Sequence, residues 1–77
     1  MKCQRALNEV FQQVFANPKL DIAPDMGPND IDGWDSMAHV NLVAAVELHF
    51  KVKFDKKELR KIRTVGDLGQ LVDSKLP

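Results

Sequence analysis

An all-α fold, a small bundle of four helices with three longer ones and a short third, is predicted by three features of this sequence. Cys3, Leu7, Val10, Phe11 and Val14 recur at spacings of three and four, and the run from Ser36 to Phe50 contains no Gly or Pro. Asp55 with Glu58, and Thr64 with Asp67, are capping pairs placed just before further apolar residues. The one stretch that alternates like a strand, Lys51-Val52-Lys53-Phe54, has no second strand to pair with. At 77 residues the chain is read as a single domain, 1–77, close to the lower size limit for a self-supporting core.

The first helix is expected from Lys2 to about Ala16, ended by Asn17-Pro18, because the residue before a proline is pushed out of the α region. Residues 17–35 then form a long connection with Pro18, Pro24, Gly27, Pro28 and Gly33, pinned to the core by Leu20, Ile22, Met26 and Ile31. Connections of this length in small domains are functional or packed down by their own side chains. Its clustered Asp residues lack the spacing and terminal Glu of a calcium loop, so no metal site is expected.

The second helix runs from Ser36 to about Phe50 and carries two apolar stripes. At 3.6 residues per turn, Leu42, Val43, Val46 and Phe50 share one side, while Met37, Ala44 and Leu48, with Asn41 among them, share a nearly opposite side. One stripe is core; the other is covered by the long loop or held exposed for another protein. Lys51–Phe54 is read as an extended connector tucking Val52 and Phe54 inward. Asp55 caps the short third helix, with Leu59 and Ile62 inward and Lys56, Lys57, Arg60 and Lys61 outward. Thr64 starts the last helix, whose inner face is Val65, Leu68, Leu71 and Val72. Gly66 and Gly69 there imply close approach to a neighbouring helix, and Lys75-Leu76-Pro77 is expected to fray.

Eleven Lys plus Arg balance eleven Asp plus Glu, so no overall field draws the chain to nucleic acid or an anionic membrane. The charges are segregated, however: Asp21, Asp25, Asp30, Asp32 and Asp35 make the loop acidic, and Lys51, Lys53, Lys56, Lys57, Arg60, Lys61 and Arg63 make the later segment basic. The basic residues read first as a solvated helix face, since no aromatic residues are interleaved, and otherwise as a dock for nucleic acid or an acidic partner. The lone Cys3 has no internal disulfide partner and falls on the apolar stripe, and no signal peptide or membrane-crossing run is read, so a cytoplasmic protein is the expectation. His39 and His49 have no second ligand at metal spacing and are read as structural. A hydrolase is not expected, because Ser36 lacks a glycine-framed elbow and a third triad member.

The stretch Asp32-Gly33-Trp34-Asp35-Ser36-Met37 delivers a Ser to the first turn of the second helix. There a hydroxyl lies beside unpaired N–H groups and the positive end of the helix dipole, a setting that favours a phosphate ester. On the local residues alone, the commoner reading is that Asp35 or Ser36 is simply an N-cap. Asp35-Ser36-Met37 resembles the Asp-Ser-Leu motif of acyl carrier proteins, and the likeness extends through Val40, Leu42, Val43, Glu47 and Phe50 to Thr64-Val65-Gly66-Asp67-Leu68, nearly the full chain.

The resemblance implies the acyl-carrier type of four-helix bundle, with a loop spanning it that has room for a short turn of helix. It implies a non-catalytic carrier whose Ser36 holds 4′-phosphopantetheine, taken from coenzyme A by a magnesium-dependent phosphopantetheinyl transferase. Asp35 then orients Ser36 or assists metal placement in the transferase, and Trp34 and Met37 frame the base of the arm. Met37, Asn41, Ala44 and Leu48 become the partner-binding face, and Val40, Leu42, Val46 and Ile62 line a folded-back acyl chain or serve only as core. The expected partners are the transferase, an acyl- or aminoacyl-loading enzyme and downstream biosynthetic enzymes, met by a monomer with no nucleic acid and no membrane.

Ala38 and Asn41 stand where the family usually has acidic residues, and the neutral total charge is also unlike carriers of fatty acid synthesis. Polyketide or peptide assembly is therefore as consistent with the sequence as lipid synthesis. An aminoacyl or peptidyl carrier, and an unmodified helical adaptor, are the alternative functions.

Overall fold

In the computed structural model, which describes residues 2–76, the four helices are α1 (Gln4–Val14), α2 (Ser36–Phe50), α3 (Lys56–Arg60) and α4 (Val65–Lys75). α1 is shorter at both ends than its apolar pattern predicts. Before it, the amides of Lys2 and Cys3 donate to the two oxygens of Asp73 on α4, at 2.9 and 3.1 Å. After it, Ala16 turns into the left-handed region at φ 51°, ahead of Asn17-Pro18. Leu7, Val10 and Phe11 are buried and pack α1 against α2.

The opposite edge of α1 holds the long loop. Gln4 donates to the Ile22 carbonyl at 3.3 Å, Asn8 accepts the Ile22 amide at 2.8 Å, and Gln12 donates to the Leu20 carbonyl at 2.9 Å. A spacing of four places these three amide side chains in one row. They satisfy loop backbone that has no ladder of its own, while Ile22 and Ile31 bury their side chains. The loop forms turns and, among the described residues, no helix.

Across the bundle, the loop also receives the start of α4. The Val65 amide donates to the Met26 carbonyl at 2.8 Å and the Gly66 amide to the Pro24 carbonyl at 2.9 Å. A Cβ on Gly66 would meet that same Pro24 oxygen at 2.8 Å. The close neighbour of Gly66 is thus the loop, where the sequence reading placed a helix.

α2 has the bounds expected and contributes Leu42, Val43 and Val46 to the core, with Phe50 half-buried. Lys51 ends it in the left-handed region at φ 57°. The extended 52–55 segment is held by Glu47, whose carboxylate accepts the Phe54 amide at 2.9 Å, and Phe54 turns inward while Val52 is half-buried. Asp55 and Glu58 close a capping box on α3, and Thr64 and Asp67 close one on α4.

Three expectations change here. Ile62 is buried but lies past the end of α3, because the helix stops after Arg60. Leu71 is only half-buried, so Val65, Leu68 and Val72 form the inner face of α4. The end of α4 does not fray as far as it is described: Lys75 is helical and pairs with Glu58 at 3.0 Å, and Leu76 packs on the core. Pro77 lies outside the described residues.

Candidate functional site

The junction between loop and α2 is built on Gly33 and Trp34. Gly33 adopts φ 88°, a conformation that an L side chain strains to reach, and this turn drives Trp34 inward. The indole is buried, edge-on to Phe11 at 5.6 Å and tilted against Phe15 at 6.1 Å. The His39 ring lies nearly parallel to it, 15° between planes with centroids 6.1 Å apart, and the Trp34 Nε1–H donates to His39 Nδ1 at 3.1 Å. A buried indole N–H needs such an acceptor, so His39 has a structural role that its spacing alone does not reveal.

With Trp34 anchored, Asp35 is extended and its Oδ1 accepts the Ala38 amide at 2.8 Å. Asp35 is therefore the N-cap, which resolves the choice between the two polar residues. Ser36 becomes the first helical residue, with an exposed side chain not spent on capping. The Ser36 and Met37 amides precede the first intrahelical bond, and the dipole adds a positive field there. Ser36 thus combines an accessible hydroxyl with first-turn N–H groups beside it.

A groove of about 420 Å³ opens beside Ser36, lined by Pro28, Trp34, Asp35, Ser36, His39 and Ile62. Trp34 and Asp35 therefore share this groove with Ser36, whereas Met37 is 75% exposed and is not in its lining. Pro28 and His39 are lining residues that sequence reasoning did not single out; only the folded path of the loop brings Pro28 to Ser36. His39 continues into a second groove of about 350 Å³ between α2 and α3, lined also by Val40, Val43, Ala44, Glu47, Leu59 and Arg60. Of the four residues considered for an acyl chain, Leu42 and Val46 are fully buried core, Ile62 lines the first groove, and Val40 is exposed and lines the second.

Met37, Asn41, Ala44 and Leu48 are all exposed on the outward side of α2, with Leu48 81% exposed. Neither the core nor the loop covers this second stripe. Among the described residues no group of three His, Cys, Asp or Glu is placed to hold a metal, and no helix is long and apolar enough to cross a membrane.

The fold is thus a small four-helix bundle with an open groove beside the exposed Ser36. No family-level sequence profile matches the chain. It is similar to the acyl carrier protein of Thermotoga maritima, 34% identical over 84% of this chain and 94% of the relative. It is also similar to that of Acidothermus cellulolyticus, 33% identical over 79% of this chain and 73% of the relative. Its fold matches the solution structure of a holo acyl carrier protein from Geobacter metallireducens, with a TM-score of 0.91 and 44% identity over 97% of this chain and 86% of that one. The chain belongs to the acyl carrier protein family. Members are carriers and not enzymes, and they work with a covalently attached 4′-phosphopantetheine.

Proposed function

We propose that Ser36 is the attachment point of 4′-phosphopantetheine and that the chain holds acyl intermediates on it as thioesters, in fatty acid, polyketide or related biosynthesis. The observation that carries this reading is the division of labour at the start of α2, where Asp35 caps the helix and leaves the Ser36 hydroxyl exposed at the groove mouth. In the complex with a phosphopantetheinyl transferase, the Ser36 hydroxyl would be the nucleophile toward the coenzyme A phosphorus, its proton passing to a base of the transferase and the nucleotide portion leaving. The first-turn amides of α2 would hold the phosphate's negative charge. Asp35, which caps the first turn through the Ala38 amide, orients Ser36 or assists placement of the transferase's magnesium. When attached, the group supplies a mobile thiol, and tethering raises the concentration of its cargo at each client enzyme.

Trp34 supports the groove floor, and Met37, Asn41, Ala44 and Leu48 form the face presented to loading and downstream enzymes. The buried, reduced Cys3 suits a reducing compartment such as the cytoplasm.

Intact mass tests the assignment. After incubation with coenzyme A, magnesium and a broad-specificity transferase, the wild type is expected to gain one phosphopantetheine and Ser36→Ala none. A gain in Ser36→Ala removes Ser36 as the site. No gain in the folded wild type, with the transferase of the source organism as well, favours the unmodified adaptor. The substrate chosen by the loading enzyme then separates an acyl carrier from an aminoacyl or peptidyl one.

A further inference from the structure

The outward side of α2 joins two grooves into one strip. The groove between α2 and α3 shares Ala44 and Glu47 with a third, of about 410 Å³, lined also by Leu48, Lys51, Val52 and Lys53. Val40, Ala44 and Leu48 thus form a continuous exposed apolar line about two helical turns long. Three cations stand around it: Arg60 on the α3 side, and Lys51 and Lys53 at the far end. Glu47 is the one carboxylate in the lining, and its Oε2 already accepts the Phe54 amide. Among the described residues the ion pair formed is Lys75–Glu58, so Arg60, Lys51 and Lys53 keep their charges for a partner.

We infer that this strip docks a protein surface with an apolar ridge flanked by Asp and Glu. The inference rests on the carrier reading and specifies the chemistry of its client. Cations beside an apolar seat favour an acidic rim on the partner, because like charges brought together at an interface are strongly unfavourable. The two grooves receive side chains of a ridge, which a fluid lipid surface does not present. The acidic loop at the Ser36 end, with Asp30, Asp32 and Asp35 exposed, repels an anionic membrane laid along α2. The same polarity sets the orientation: the partner's acidic rim meets the α3 end, and its active-site entrance faces Ser36.

The probes are two synthetic amphipathic helical peptides, each with one leucine stripe, flanked in one by glutamates and in the other by lysines. Each is titrated into the ¹⁵N-labelled full chain while amide shifts are followed. The glutamate peptide is expected to bind at least tenfold tighter at low salt, moving Val40, Ala44, Leu48 and Arg60, with the preference shrinking as salt rises. Arg60→Glu with Lys53→Glu is expected to reverse the preference, and Leu48→Asp to weaken both peptides.

Equal binding, a lysine preference, or shifts confined to another face overturns the inference. So does movement of the same amides on raising protein concentration alone, which makes a second copy the occupant, or on adding phosphatidylglycerol vesicles, which makes it a lipid surface. A chain loaded at Ser36 without a glutamate preference loses this inference and keeps the carrier reading; one that shows the preference but is never loaded does the reverse.

Discussion

Replacing Gly66 by Ala sets two effects of opposite sign against each other. Ala is favoured over Gly by up to about 1 kcal/mol in a helix interior, and by less in a first turn such as this one. Against that, the new Cβ would stand 2.8 Å from the Pro24 oxygen, 3.2 Å from its Cβ and 3.4 Å from its carbonyl carbon. Two of these are backbone atoms, so relief requires the loop to move. The motion strains two bonds that join loop to helix, Gly66 N–H to Pro24 and Val65 N–H to Met26, each worth about 1 kcal/mol. Overpacking of a tight contact costs about 1–3 kcal/mol. The clash wins, and Gly66→Ala is expected to be destabilised by roughly 1–3 kcal/mol, which lowers Tm by about 4–8 °C per kcal/mol in a domain of this size. Urea unfolding followed by the fluorescence of Trp34, the single tryptophan, measures it as a lower midpoint at unchanged slope. A midpoint at or above that of the wild type would refute the steric argument and show that helix preference governs the site.

Asp35→Ala is expected to cost about 1 kcal/mol through the lost cap and to slow loading of Ser36, while Asp35→Ser restores stability in the same urea titration; loading that recovers fully with Ser removes any separate role for the carboxylate. Burial raises the Asp73 pKa, but the adjacent Cys3 thiol and hydrogen bonds from the Lys2 and Cys3 amides outweigh it and hold the carboxyl below its usual value; Glu58 is lowered by the Asp55 amide and then by Lys75. Both groups therefore contribute stability that is present above the ordinary carboxylate pKa of about 4 and lost as pH falls below it, a slope that Asp73→Asn should flatten in an acid unfolding series. The Cys3 thiol is pushed up to about 12, by burial and then by the Asp73 carboxylate, and its Sγ–H donates to the Gly69 carbonyl oxygen, 3.6 Å from the sulfur. It should stay unreactive to a disulfide reagent at pH 8 until the chain unfolds, and rapid labelling of the native protein contradicts this.

Local signals in the chain were sufficient for the number and order of the helices. Helix bounds at Ser36–Phe50, and the caps at Asp55 and Thr64, depend on neighbours within four residues, and the structure places them where those neighbours require. The two-sided apolar pattern of α2 was equally legible, because periodicity marks which residues share a side. Periodicity does not say which side is covered, and that was decided when the loop packed between α1 and α4 instead of over Met37 and Leu48.

The tertiary structure also chose Asp35 over Ser36 as the cap, since the extended backbone at Asp35 follows from Trp34 being anchored among Phe11, Phe15 and His39. Likewise the row Gln4, Asn8 and Gln12 gains its role only from the folded loop, which supplies the backbone groups it serves. Gly66 shows the same limit: a missing side chain signals a close approach, while the identity of what approaches, Pro24 some forty residues earlier, is a long-range fact. What depends on contacts within a helical turn was determined by the sequence itself; what depends on which distant backbone fills the space beside it was decided by the packed fold.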